Sequence, residues 1–219
     1  LDNGNASYTF FDENSAGRML EESDLPELPD SIDALHFSCI SLIPEPCGST
    51  YETLMRREHS RRVTMLDPNI RSAFIADRES HLARLRRMIA MADIVKLSDE
   101  DLAWFGEVGT HDDIAERWLA SGPKLFVVTR GSEGAVGYTR EAKAELPAVP
   151  VTVADTVGAG DTFNAGILAA LRDDGLLAKE ALAKLSRAQL EKVMAFAIRI
   201  SAITVSRPGS NPPWRHEIA

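Results

Sequence analysis

Short apolar runs rich in strand-forming residues alternate along the chain with longer segments in which apolar residues recur every three or four positions. The short runs predict buried β-strands at residues 34–40, 63–66, 94–97 and 125–128. The segments with helical spacing predict helices at residues 51–57, 78–91, 101–105 and 111–120. This alternation predicts a mostly parallel central sheet flanked by helices on both faces, which is a Rossmann-like, three-layer α/β fold.

Further elements are predicted before and after this alternating region. They are a strand at residues 7–11, a hairpin of residues 134–139 and 143–153, and two closing helices at residues 161–172 and 186–206. The sequence contains no internal repeat and no low-complexity linker. Residues 1–219 are therefore interpreted as one domain.

The charge balance bounds the class of partner. The chain of 219 residues has a formal net charge of −9, which argues against a nucleic-acid-binding protein because such proteins neutralise phosphates with Lys and Arg. Two basic clusters fall in predicted helices, where we expect solvated faces. They comprise Arg56, Arg57, Arg61 and Arg62, and Arg84, Arg86 and Arg87.

Cysteine usage and hydropathy indicate a cytoplasmic protein. Two cysteines, Cys39 and Cys47, are too few for a disulfide framework. No apolar run reaches membrane-spanning length and no signal peptide opens the chain, so we expect no membrane partner. The five histidines lack the spacing of a metal site.

Residues 155–166 carry the clearest chemical signal. A turn of small residues, Gly158, Ala159 and Gly160, leads into Asp161 at the start of a predicted helix. Such a turn lets several backbone N–H groups point at one spot, and the helix N-terminus adds its positive dipole end, so the two together predict an anion site. An acid beside an anion site suits phosphoryl transfer, in which one group holds the phosphate while another orients the attacking hydroxyl. A helix cap would account for the acid but not for the glycines.

Other glycine-rich phosphate motifs fit less well. No Gly-Lys-Ser/Thr follows a glycine-rich loop, and neither His-Arg-Asp nor Asp-Phe-Gly occurs. A dinucleotide-binding fingerprint would need a third glycine where Phe163 stands, and it would lie near the first strand.

Three polar loops follow predicted parallel strands. Ligands of open α/β sheets bind at the carboxyl ends of the strands, so we expect these loops to meet. The candidate residues are Asp67, Asn69 and Arg71, then Ser98 and Asp101, then Thr129, Gly131 and Gly134. Taken alone, the last loop is typical of a hairpin turn. The acidic helix start at residues 98–101 fits a magnesium–phosphate site and a helix-dipole role equally well.

With these residues in place, the chain resembles the ribokinase-like (PfkB) family of carbohydrate kinases. Residues 155–166 look like that family's C-terminal signature, and the similarity extends over essentially the whole chain. Within the family, residues 67–71, 96–101 and 206–214 look most like bacterial fructokinases. The resemblance implies a ribokinase-like fold and ATP-dependent transfer of the γ-phosphate to a terminal sugar hydroxyl, with fructose as the expected sugar.

The resemblance also assigns roles to individual positions. It implies that Asp161 is the catalytic base and that residues 158–161 form the anion hole. The nucleotide site would include Thr129, Gly131, Gly134, Ser98 and Ala197, and the sugar site would include Asp67, Asn69 and Arg71. Asp101 would bind Mg²⁺. A monovalent cation such as K⁺ would bind at Asp155, Val157 and Gly209. Ser98 and Asp101 stand where many relatives carry Asn and Glu, which keeps the acid and loses the amide.

Alternatives within and outside this reaction class stay open. A ribokinase, a 2-keto-3-deoxygluconate kinase or a nucleoside kinase would share the motif, and a non-catalytic binding relative would share the fold. The family's N-terminal signature, its sugar-binding acid and most of its β-sheet lid have no match in this sequence, so the lid is expected to be largely absent. Since relatives often pair through their lids, a homodimer is expected of the complete protein.

Overall fold

Six β-strands form one sheet in which the spatial order follows the order of the chain. The structure, a computed structural model, describes residues 11–218 apart from the side chain of Cys39. The strands are β1 (Ala34–Ser38), β2 (Val63–Asp67), β3 (Ile94–Ser98), β4 (Leu125–Thr129), β5 (Ala135–Tyr138) and β6 (Lys143–Leu146). β1 to β4 are parallel, and β4, β5 and β6 pair antiparallel.

Helices cover both faces of this sheet, as predicted. One face packs against α1 (Cys47–Glu58), α2 (Arg78–Met91), α3 (Asp99–Phe105) and α4 (His111–Ser121), and the other against α5 (Ala159–Asp173), α6 (Lys179–Leu182) and α7 (Arg187–Val205). The mostly parallel, three-layer α/β fold is confirmed. None of the helices in residues 11–218 combines the length and the apolar character that a membrane-spanning segment needs.

The two-residue period of the strands divides the apolar residues between two cores. On β3, Val95 and Leu97 belong to the core under α1–α4, whereas Ile94 belongs to the core under α5–α7. Lys96 alternates with Val95 and Leu97, so its side chain leaves the strand on the α5 side. Both faces of β3 are buried, which explains its nearly continuous apolar sequence.

Some strand predictions extend too far. The predicted strand at residues 143–153 ends at Leu146, because Pro147 and Pro150 have no N–H group to donate to a ladder. The predicted strand at residues 34–40 ends at Ser38. In the predicted strand at residues 7–11, residues 7–10 lie outside the described part of the chain.

α1 begins at Cys47 rather than at Tyr51, where the apolar spacing becomes visible in the sequence. Gly48 in its first turn packs against the guanidinium of Arg84, which occupies the space that a side chain would need. A glycine is a weak helix former, so the pattern alone did not reveal this turn.

The expectation of fully solvated basic clusters is wrong for two arginines. Arg62 is buried and its Nε donates to Glu58 at 2.8 Å. Arg84 is also buried and pairs with Glu45. Buried guanidinium groups need anionic and carbonyl partners. Glu58 is the last residue of α1 and Glu45 lies two residues before its start, whereas the other arginines of the clusters are exposed.

Candidate active site

A cleft of about 560 Å³ opens beside the carboxyl end of β4. Its walls are the loop after β6, with Val149, Val151 and Val153, and the last turns of α7, with Ile198, Ser201, Ala202 and Val205. Thr129, Gly131 and Gly134 also line it, together with Ala159 and Gly160 of the small-residue turn. The structure therefore brings three of the predicted nucleotide-site residues to the predicted anion hole.

The turn at residues 158–161 presents backbone donors to this cleft. Gly158 is the N-cap of α5 and has φ 80°, a left-handed conformation that favours glycine. The N–H groups of Gly160 and Asp161 lie in the first helical turn and have no acceptor within the helix. Asp161 is exposed. An exposed carboxylate thus stands in the same helical turn as two backbone amides that have no acceptor within the helix.

Hydroxyl groups of α7 fix the start of α5. Ser201 Oγ donates to the carbonyl oxygen of Ala159 at 3.0 Å, and the Oγ1 atoms of Thr204 and Thr162 are 3.0 Å apart. Thr204 and Thr162 are buried, so this hydrogen bond is shielded from water. Neither α7 residue was predicted from the sequence to support the site. The available signal was two hydroxyl residues in a largely apolar helical segment.

Asp155 ties the signature loop to the segment after α7. Its two carboxylate oxygens accept hydrogen bonds from the N–H groups of Val157 and Gly209, each at 3.0 Å. These backbone donors lower the pKa of Asp155 below its ordinary value. The three residues predicted for a monovalent cation therefore lie together.

Asp67 lies beneath the cleft in a buried polar network. Its Oδ2 accepts from Lys96 Nζ at 3.1 Å and from Asn164 Nδ2 at 2.6 Å, and its Oδ1 accepts from the Asn69 N–H at 3.1 Å. Asp67 is fully buried. In this structure the Asp67 carboxylate has no contact with solvent, and it holds the loop through the Asn69 N–H.

Asn69 and Arg71, in the same loop as Asp67, are partly exposed. Asn69 has φ 40°, a strained conformation for a residue other than glycine. Arg71 donates from Nη1 to the carbonyl oxygen of Ile70 at 3.0 Å. The hydrogen bond between Asp67 and Asn164 joins this loop to α5, so the expected sugar and phosphate regions are neighbours.

Ser98 and Asp101 form the capping box at the start of α3. Ser98 Oγ accepts from the Asp101 N–H, and Asp101 Oδ2 accepts from the Ser98 N–H, each at 3.0 Å. Asp101 Oδ1 accepts from the Ile70 N–H at 2.7 Å. Asp101 is buried and both its oxygens have partners, so it supports the neighbouring loop. Within residues 11–218 no three His, Cys, Asp or Glu side chains gather in a group that could hold a metal ion.

Ala197 lies away from the cleft surface. It is fully buried and packs against Gly166 of α5. The cleft wall is formed by the following residue of α7, Ile198. Successive residues of a helix are rotated by about 100°, so Ile198 faces the cleft while Ala197, one residue earlier, faces α5.

His36 adds a titratable group on the α5 side of the sheet. Desolvation lowers its pKa below the ordinary value, while the carboxylates of Asp67 and Asp161 act in the opposite direction. No motif in the sequence had pointed to this histidine.

A protein-family model and several known sequences match most of this chain. The model of the family described as pfkB family carbohydrate kinase matches residues 2–217. The chain belongs to this family. Among pfkB relatives, a fructokinase of Rhizobium leguminosarum bv. trifolii is 58% identical over 190 residues, which cover 87% of this chain and 58% of the relative. Probable fructokinase-6, chloroplastic, of Arabidopsis thaliana is 31% identical over 213 residues, which cover 95% of this chain and 54% of the relative.

Solved pfkB structures support the same fold. The crystal structure of a fructokinase with bound ATP from Xylella fastidiosa matches with a TM-score of 0.85, at 23% identity, over 95% of this chain and 66% of that one. A fructokinase from Vibrio cholerae O395, in fructose, ADP and calcium ion bound form, matches with a TM-score of 0.75 at 24% identity. This match covers 90% of the present chain and 62% of the Vibrio cholerae chain. The chain spans little more than half the length of the two sequence relatives.

Proposed function

We propose that this chain carries the phosphoryl-transfer site of an ATP-dependent fructokinase. The observation that carries the proposal is the exposed Asp161 at the start of α5, next to the amides of Gly160 and Asp161 on the rim of a cleft of about 560 Å³. Family membership and the 58% identity to a fructokinase support the same reaction.

The chemistry follows from what these groups can do. The sugar hydroxyl oxygen forms a bond to the γ-phosphorus, the bond from that phosphorus to the β–γ bridging oxygen breaks, and ADP leaves. Asp161 orients the hydroxyl and accepts its proton. The N–H groups of the small-residue turn hold the negative charge of the phosphoryl oxygens. Few groups are needed because positioning and electrostatics dominate this class of transfer.

The cleft suits a nucleotide. Aliphatic side chains, among them Val151 and Ile198, flank it, and glycines at positions 131 and 134 allow close approach of the backbone. We propose that the base lies between these walls and that the phosphates run toward Gly160. The fructokinases from Xylella fastidiosa and Vibrio cholerae O395 hold ATP and ADP respectively, which supports a nucleotide as the ligand.

Metal ions are proposed in two places. Mg²⁺ would be held mainly by nucleotide phosphates and water, since the described residues offer no protein cage and Mg²⁺ commonly keeps several waters. It would neutralise phosphate charge. A monovalent cation such as K⁺ would bind the backbone near Asp155, Val157 and Gly209, where two hydrogen bonds already assemble the loop.

The acceptor is proposed to be fructose. This choice rests on the fructokinase relatives and on the fructose in the Vibrio cholerae structure. Asn69 and Arg71 are proposed to contact the sugar, with Asp67 supporting them from below. A homodimer is proposed for the complete protein, with the cytoplasm as its location.

Substitution of the proposed base tests the assignment. Asp161→Ala should lower kcat by about 10³-fold, because the hydroxyl loses its proton acceptor. ATP affinity, measured by calorimetry, should stay close to that of the parent chain because the amides remain. Asp173→Asn, at the far end of the same helix, is the matched control and should leave kcat unchanged. Parent-like turnover in Asp161→Ala would refute the proposal.

A sugar panel tests the acceptor. Coupled measurement of ADP release with fructose, ribose, 2-keto-3-deoxygluconate and a nucleoside should give the highest kcat/KM for fructose. A higher value for another acceptor would keep the reaction and replace the substrate. Binding of ATP without ADP release above background for any sugar would favour the non-catalytic alternative.

A further inference from the structure

Lys96 is a buried cation for which the proposed mechanism gives no role. Its side chain is 6% exposed, and its Nζ lies 3.1 Å from Asp67 Oδ2. A Cβ atom built on Gly160 would lie 3.3 Å from the same Nζ. The ammonium group therefore lies directly beneath the turn that forms the proposed anion site, and Gly160 leaves it room.

The network around this ammonium joins β2 and β3 to α5. Asn164 donates to the same Asp67 oxygen at 2.6 Å and stands one helical turn after Asp161. The Oδ1 atom of Asn164 is buried and has no hydrogen-bond partner within the described part of the chain. Charged and polar groups are thus gathered under the helix start even at the expense of an unsatisfied amide oxygen.

Stability of the fold does not account for this arrangement. A lysine and an aspartate that leave water lose their hydration, and a well-packed apolar pair of similar volume is often as stable or more so. The positions two residues earlier on the same strands, Met65 and Ile94, are apolar. A functional role for the charge beside the anion site explains why Asp67 and Lys96 are not apolar as well.

We propose that Lys96 is a positioning residue whose ammonium charge tunes the site at residues 158–161. Together with Asp67 and Asn164 it holds the first turn of α5 in place. Its positive charge adds to the potential that the turn amides present to the phosphoryl group. This inference rests on the proposed kinase function.

Two substitutions that break the same ion pair separate a charge effect from a structural effect. Lys96→Met removes the positive charge, so the acid limb of the kcat/KM–pH profile should move to higher pH by about one unit. Asp67→Asn leaves the positive charge unbalanced, so that limb should move to lower pH. A purely structural role would change both profiles alike. Ile94→Val, on the same face of β3, is the matched control and should lower stability without moving the profile.

The size and kind of the rate effect give a further readout. Lys96→Met should lower kcat by about 100-fold, while KM for ATP changes severalfold at most, because the charge matters most for the transferring phosphoryl group. A loss confined to KM would overturn the proposal. Should Lys96→Met fail to fold, the more conservative Asp67→Asn still decides through the direction of its shift.

A binding measurement that needs no turnover distinguishes this inference from the proposed function. The affinity for ADP with aluminium fluoride, a mimic of the transferring phosphoryl group, should fall at least tenfold in Lys96→Met and should not fall in Asp67→Asn, while the affinity for ADP alone stays unchanged. An unchanged affinity in Lys96→Met, or equal losses in both variants, would overturn the role of Lys96 even in an active kinase. Opposite effects of the two substitutions in a chain that phosphorylates no sugar would support the charge effect and reject the kinase function.

Discussion

Two glycines beside the cleft are needed because a side chain at either position would collide with a neighbouring residue. Gly134 has φ 92°, and the carbonyl oxygen of Leu146 occupies the place of its missing side chain. Gly158 has φ 80°, and Ser210 lies where its side chain would stand. Gly134 lines the cleft and Gly158 borders it, so the close approach of the Leu146 backbone and of the Ser210 side chain depends on these glycines.

His81 provides a residue-scale prediction of pH dependence. It is buried beside Trp104, and desolvation, followed by the charge of Arg84, lowers its pKa to about 4. Between pH 6.5 and pH 4 the unfolded chain binds a proton that the folded chain excludes, so stability falls as pH falls. His81→Phe should reduce this slope in the free energy of unfolding by up to about 1.4 kcal/mol per pH unit.

Urea denaturation at a series of pH values measures this slope. Ser80→Ala supplies the control, since it changes an exposed side chain without a titratable group and should leave the slope as it is. An unchanged slope in His81→Phe would show that another group binds the proton.

At the scale of elements, the contact between α5 and α7 builds the site. Gly166 of α5 faces Ala197 and Ile200 of α7, and the hydrogen bonds from Ser201 and Thr204 lie further along the same interface. The two helices can approach closely because Gly166 has no side chain. The position of the anion turn therefore depends on packing in the middle of the helix.

Gly166→Ala tests this dependence through the sign of its effect. A new Cβ would lie 2.7 Å from Ile200 Cδ1 and 2.8 Å from Ala197 Cα, and the latter is backbone that cannot rotate away. Overpacking should outweigh the gain of about 1 kcal/mol in helix propensity, so the free energy of unfolding should fall by about 1–2 kcal/mol.

The control lies on the exposed side of the same helix. Ala165→Gly should cost about 1 kcal/mol by propensity alone. Both values come from denaturation midpoints at unchanged m-values. A Gly166→Ala chain that is more stable than the parent would mean that the helices separate at little cost.

At the scale of the whole molecule, buried arginines connect segments that are distant in sequence. Arg62 donates to the carbonyl oxygens of Ile32 at 2.6 Å and Leu28 at 2.8 Å, in addition to its pair with Glu58. The segment before β1 is thereby attached to the end of α1. Three of the donor groups of one side chain are used, in a geometry that lysine could not reproduce.

Arg62→Met should lower the free energy of unfolding by about 3 kcal/mol, because Glu58 would keep only its pair with Arg57 and two carbonyl oxygens would lose their donor. Amide hydrogens in residues 28–34 should lose protection in hydrogen exchange. The neighbouring Arg61 makes an exposed pair with Asp30, so Arg61→Met should change stability by less than about 1 kcal/mol. Equal effects of the two substitutions would contradict the anchoring role of Arg62.

Local patterns were enough to predict most elements of this fold. α2 at Arg78–Met91 and α4 at His111–Ser121 follow directly from the apolar spacing. The strand after residue 143 was predicted too long because alternation continues past Leu146, although the prolines there cannot pair. The burial of Arg62 and Arg84 was not predicted, because a run of arginines does not reveal which of them pack against carboxylates and carbonyl groups of other segments.

The anion turn and its acid could be predicted from the sequence, because a glycine turn, an acid and a helix start are adjacent in the chain and their geometry is local. The contacts of Lys96 with Asp67 and with Gly160 could not, since they join residues from two strands and a later helix. Only tertiary packing decides which polar groups meet beneath that turn, and which of the candidate ligands remain in contact with solvent. The physical reason is that backbone conformation depends mainly on nearby residues, whereas burial and charge pairing depend on every element packed around the site.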